Sequence, residues 1–280
     1  MPPAVVDTRP LFRPLCAEIV ATLRSLDPDD WLRPTVAGSW RVRDVAAHLL
    51  DTALRRLSLH RDRPADTTSQ PRVGGTPTNL VAFVNDLNAS WIRAAERLSP
   101  RVITDLYARA GTELADFMET LSLSDDAFWP VSWAGEGRSA QWLDIGREFT
   151  EVWHHGSQIR DAVGAGPFAE PRWLRAVLRI AVHVLPHAYR DMSEAAGVSL
   201  VIDITGHAGG TWTLQRTPEQ KWDVEEGRSI APTMIATMTD EVAWRLLFNA
   251  LPERDARSRI QVEGKVQLAE PLLSARSVIV

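Results

Sequence analysis

Cysteine is nearly absent from this chain: Cys16 is the only one in 280 residues. A single thiol excludes an internal disulfide and any multi-cysteine metal site. Its helical surroundings make it a small buried hydrophobe. Lysine is almost as scarce, with Lys221 and Lys265 alone, so the positive charge is carried by arginine. That bias fits a GC-rich genome and carries no function. Long apolar runs are missing too. No stretch approaches the roughly 18 residues of a membrane span, and the first residues hold no apolar run of signal-peptide length. A formal net charge of −5 gives no reason to expect nucleic acid or an anionic membrane as partner. A cytoplasmic protein, monomeric or weakly homodimeric, is the expectation.

What is present suits a folded enzyme-sized chain. Apolar residues make up 45% and charged residues 24%, an ordinary globular balance. Eleven tryptophans are many for this length and imply aromatic walls in a core or pocket.

Helical periodicity dominates the first two thirds, over residues 11–26, 41–60, 79–98, 100–121, 139–163 and 171–195. Asp44 lies in the first turn of the second helix, where the dipole favours an acid. Pro186 predicts a kink in the sixth. The polar stretch RDRPADTTSQPRVGGTPTN reads as a long loop or lid. After Gly197 the pattern changes to short alternating strands, SLVIDITG, GTWTLQRTP, KWDVEEG, PTMIATMTD and RIQVEG, with helices at DEVAWRLLFNAL and VQLAEPLLSAR. An α+β fold follows, with a helical bundle over 1–195 and a smaller α+β domain over 196–280.

The residues that carry chemistry lie in two helical segments. In REFTEVWHHGSQIRDAVG, Glu151 and His155 are four apart and share a helix face. In SWRVRDVAAHLLD, His48 sits among apolar residues and is placed to supply a third ligand from a facing helix. Two imidazoles and one carboxylate suit zinc and leave a coordination position open. The apolar neighbours Phe149, Val152, Trp153 and Ile159 put the Glu151 helix inside, where an unpaired carboxylate is costly. His154 lies about 100° round the helix from His155 and does not share its site easily. His183 and His187 repeat the spacing, but Pro186 distorts their turn and no third ligand is evident, so packing is their expected role. His60 and His207 read as surface or loop residues. Asp44 and Asp51 flank His48 and are candidates to orient its second nitrogen.

WRVRDVAAHLLD and EVWHHGSQIRDAVG resemble the two metal-binding segments of the mycothiol-dependent maleylpyruvate isomerase family. Glutamate at 151, where the wider DinB-like proteins usually have histidine, narrows the resemblance to that branch. DITGHAGGTWTL and the run from EVAWRLL to VEGKVQLAEPLL resemble its C-terminal domain. The resemblance implies a DinB-like four-helix-type bundle followed by a small α+β sterol-carrier-like domain. It puts Zn2+, or another divalent metal, on His48, Glu151 and His155, with mycothiol as thiol cosubstrate and a small electrophile as substrate. The activated thiolate would add to a double bond and leave again in an isomerase, or stay on the product in an S-transferase. Beyond the ligands no catalytic residue is assigned; Gln158, Trp153 and Arg259 are candidate thiol- or substrate-binding residues, and the Trp129–Trp133 loop a candidate wall. A metal-stabilised binding module without catalysis is the rival reading.

Three departures bear on the electrophile. Gln158 stands where that family usually has aspartate. The glycine-arginine pair that often follows the WRLL helix is replaced by FNALPE, with Arg254, Arg257 and Arg259 a little further on. The chain also carries additions around 61–78 and 123–140.

Overall fold

In a computed structural model of the protein, the structure describes residues 4–63 and 77–278. Most of the polar stretch expected as a lid lies outside the described residues.

The helical part comprises α1 (Arg9–Ser25), α2 (Val42–Arg56), α3 (Pro77–Ala95), α4 (Pro100–Thr120), α5 (Gln141–Ala162), α6 (Pro171–Ala181) and the short α7 (Leu185–Ala188). Their starts follow from local chemistry. Pro100 opens α4, and Ser99 Oγ accepts from the Val102 N–H at 3.3 Å. In α2, Asp44 Oδ2 accepts from the Arg41 N–H at 2.9 Å, so Asp44 is spent on the helix end. Between α6 and α7 the chain tightens to a single 3₁₀ turn, Val182–Val184, just before Pro186.

Helices give way to strands between Ala188 and Ser199. The strands are β1 (Ser199–Thr205), β2 (Gly210–Arg216), β3 (Trp222–Glu226), β4 (Met234–Thr239) and β5 (Gln261–Gly264), in spatial order β3-β2-β1-β4-β5. β1 and β4 are parallel; the other pairs are antiparallel. Register puts Leu200, Leu214, Val224 and Met234 on one face, with Ile202, Trp212 and Ala236 beside them. All seven are buried. The opposite face carries the half-buried Asp203, Thr211 and Thr213 together with the buried Val201. Three short helices complete this part: α8 (Asp240–Leu247), capped by Thr239 Oγ1, α9 (Glu253–Arg257) and α10 (Glu270–Ser274). Helices in the first part and a five-stranded sheet in the second make this an α+β protein.

Contacts divide the described residues into two compact units, each drawn from more than one stretch of chain. One holds residues 8–122 and 151–168, hence α1 to α4 and the second half of α5. The other holds 4–7, 123–150 and 169–278, hence the first half of α5, the later helices and the sheet. In the first unit α4 packs against both α1 and α2. Cys16 is buried there against Gly111 of α4, where a Cβ would lie 2.3 Å from its sulfur. Burial pushes the Cys16 thiol up to about 11. No described helix is long and apolar enough to cross a membrane.

Candidate metal centre

His48 is buried in α2 among Val45, Ala46, Ala47, Leu49 and Leu50, all buried as well. An unpartnered imidazole in such surroundings is costly. Its Nδ1 has no hydrogen-bond partner, while its Nε2 faces Glu151 Oε1 at 3.4 Å. Glu151 and His155 stand one turn apart on α5, and His155 Nε2 lies 3.2 Å from the same carboxylate oxygen. The two histidine rings meet edge-on, centroids 4.7 Å apart. One ligand atom from each residue falls within 4.8 Å of the others.

The spacing fits a metal ion. Donor atoms around a tetrahedral ion bound at about 2.0–2.1 Å sit about 3.3–3.4 Å apart, close to the distances from Oε1 to each Nε2. The donor set, two imidazoles and one carboxylate, is one that divalent transition metals such as zinc accept. Glu151 keeps 31% of its side chain exposed, so the cluster opens to solvent on the carboxylate side.

Charge reinforces the arrangement. Burial alone would raise the Glu151 carboxyl, but His155 and His48 beside it hold it well below its ordinary range, and it stays an anion. Burial pushes His48 down to about 4, so near neutral pH it keeps a lone pair to give. His155 is also pushed down by burial, but Glu151 and Gln158 more than offset that, and its net shift is upward.

The profile described as mycothiol maleylpyruvate isomerase N-terminal domain matches residues 12–160, a span that runs from α1 to the end of the cluster. The chain belongs to this family. Two crystal structures share its fold. One is of the mycothiol-dependent maleylpyruvate isomerase, with 13% identity over 93% of each chain and a TM-score of 0.53. The other, of a histidine-to-alanine mutant described under the same name, has 12% identity, the same coverage and the same TM-score. No curated protein sequence matches the chain.

Within this family member, the residues singled out in the sequence fall into three groups. His48, Glu151 and His155 come together. Gln158 joins them from the next turn of α5: its Oε1 is 2.8 Å from His155 Nδ1 and its Nε2 3.1 Å from His154 Nε2. Trp153 and Arg259 are placed otherwise. Trp153 is fully buried and gives its indole N–H to Phe168 O at 2.8 Å, so it is a core residue rather than a pocket wall. Arg259 is exposed and belongs to the sheet-bearing unit, as do Trp129 and Trp133. His183 packs on Trp142, ring centroids 5.1 Å apart, in that same unit.

Other expectations are corrected. Neither Asp44 nor Asp51 orients His48: Asp44 caps α2, and Asp51 is buried with Arg55 Nε at 3.1 Å. His60 is buried, because α2 continues into a π-helical turn, Leu57–Asp62, that carries it inward. His154 is not a bystander. It is buried, stacks on His155 at 5.6 Å and is pushed down to about 3 by burial. Trp40, just before α2, was read only as part of a family segment. Its ring lies 4.9 Å from that of His48 and 6.4 Å from that of His155.

Proposed function

We propose that this chain is a zinc-dependent enzyme that turns a low-molecular-weight thiol, mycothiol, against a small electrophile, as a maleylpyruvate-isomerase-like isomerase or a thiol S-transferase. The observation that carries the reading is the meeting of His48 Nε2, Glu151 Oε1 and His155 Nε2 around one point. Family membership and the shared fold support mycothiol and isomerisation. A divalent ion held there would supply the positive charge that lets a thiol lose its proton near neutral pH.

The chain's own residues do the rest. His48 offers a neutral nitrogen donor, His155 offers one once a bound cation displaces its proton, and Glu151 offers the negative charge. Three donors leave room for a thiol beside them. Trp40 lies beside both imidazoles and forms a wall against which a thiol or substrate can pack. No protein cysteine takes part, in keeping with a buried Cys16.

Of the arginines that follow α8, Arg257 is tied to Glu270 at 2.6 and 2.7 Å and to Glu253 at 3.2 Å. Its guanidinium is already spent on carboxylates of the chain.

Metal analysis of the purified protein, joined to thermal shifts with a panel of small thiols, tests the reading. About one zinc per chain and a marked rise in Tm with one thiol are expected. His48→Ala and His155→Ala should each lose the metal and thiol-dependent turnover. Full metal content in both variants would overturn the assignment. Product mass then separates the reactions: unchanged for isomerisation, increased by the whole thiol for addition, and increased by the thiol less the departing group for a displacing transfer.

A further inference from the structure

The groups just outside the three converging atoms are an amide and a ring, both on α5. Gln158 is buried, and each end of its amide is used. Its Oε1 is 2.8 Å from His155 Nδ1, and its Nε2 is 3.1 Å from His154 Nε2. An amide oxygen only accepts and an amide nitrogen only donates. With the amide oriented this way, His155 Nδ1 carries the proton it donates to Oε1, and His154 Nε2 accepts from the amide NH2. With the proton of a neutral His155 on Nδ1, its lone pair sits on Nε2, the atom 3.2 Å from Glu151 Oε1.

Turning the amide over would reverse this. The NH2 group would face Nδ1, the proton would move to Nε2, and His155 would lose its donor inside the cluster. What selects between the two orientations is the partner at the far end of the amide. His154 stacks on His155 with an interplanar angle of 18°, and its Nε2 meets the same amide at 3.1 Å.

We propose that Gln158 is a positioning residue: its amide, oriented by His154, fixes His155 in the tautomer whose Nε2 is free to bind a cation. This deepens the zinc reading above and rests on it. The choice of an amide also matters for charge. A carboxylate at 158 would accept from Nδ1 equally well, but it would add a second negative charge and offer His154 no donor. With Gln158, Glu151 is the one anion of the described cluster, and a bound divalent cation keeps net positive charge with which to draw an anionic thiol.

The test uses the full chain with ¹⁵N-labelled histidine. Two-bond nitrogen–proton correlations on metal-free protein, at alkaline pH where the ring is neutral, read each tautomer directly. His155 should appear with its proton on Nδ1, and so should His154. Gln158→Leu should shift His155 toward the Nε2–H form and weaken zinc binding about 10–100-fold in a competition titration. Gln158→Glu should keep the His155 tautomer, bind zinc at least as tightly as the native chain and bind the thiol less well. If Gln158→Leu does not fold, His154→Phe carries the same test, because it keeps a ring and removes the acceptor that orients the amide. A wild-type His155 protonated on Nε2, or a folded Gln158→Leu with unchanged tautomer and zinc affinity, would overturn the proposal. The expected tautomers in a protein that binds no zinc would sink the zinc reading and leave the tautomer lock standing.

Discussion

Trp40 shows how much one side chain can add to a site without being a ligand. Its ring lies beside both histidines of the cluster, tilted to each, and an aromatic side chain so placed contributes through contact area with whatever binds beside it. Trp40→Ala should keep zinc at about one per chain and raise KM for the thiol or the electrophile about tenfold, the equivalent of about 1.4 kcal/mol of lost contact. Zinc content and steady-state kinetics check this together; loss of the metal would mean that Trp40 holds the ligands rather than the substrate. The convergence of His48, Glu151 and His155 was legible in the sequence. Glu151 and His155 share a face by helical arithmetic, and the apolar neighbours of His48 require it to have a partner. Trp40 was not, because it precedes α2 in a turn whose direction no periodicity specifies. The role of Asp51 was not legible either, since its pairing with Arg55 along one helix competes with any service to His48.

Between elements, the contact of α1 with α4 is set by two small residues. Gly111 leaves room for Cys16, and a Cβ added there would overlap its sulfur. Gly111→Ala should therefore destabilise the protein by about 1–2 kcal/mol, the overpacking cost less the gain in helix propensity. Combined with Cys16→Ala, the same substitution should become neutral or stabilising, since the nearest remaining atom, the Cys16 Cβ, would be at 3.6 Å. A double-mutant cycle in denaturant reads the coupling; an equal cost in both backgrounds would refute the steric account. The helices and strands were largely readable, since apolar spacing near 3.6 and near 2 separates them. Less readable were the ends. The helix expected over 41–60 changes to a π-turn at Leu57, and that change buries His60. The grouping of α5 with two compact units also leaves no mark on a linear pattern, because its apolar spacing runs unbroken through residue 150.

For the molecule as a whole, buried histidines shape the response to acid. His48 and His183 are pushed down to about 4 and His154 to about 3, chiefly by burial. Unfolded, each takes a proton near pH 6.5. Their stabilising effect is thus present above that pH and is lost as the pH falls from 6.5 toward 4. Asp51 opposes them. Burial raises it to about 6, so its contribution grows as the pH falls through 6. His155, raised overall, contributes below pH 6.5 and loses that contribution as the pH rises through its folded value. Three histidines outweigh one carboxyl, and the metal-free protein should lose stability steadily from pH 6.5 to 4. His183→Gln, remote in sequence from the cluster and packed on Trp142, should flatten that slope in denaturant titrations at several pH values; an unchanged slope would remove His183 from the account.

The buried Cys16 has one more consequence. A catalyst that handles electrophiles risks becoming its own substrate, because any reactive thiol of the chain competes with the thiol it recruits. With its only cysteine enclosed between α1 and α4 and pushed by burial toward the protonated thiol, this protein, working as proposed, presents no such competitor.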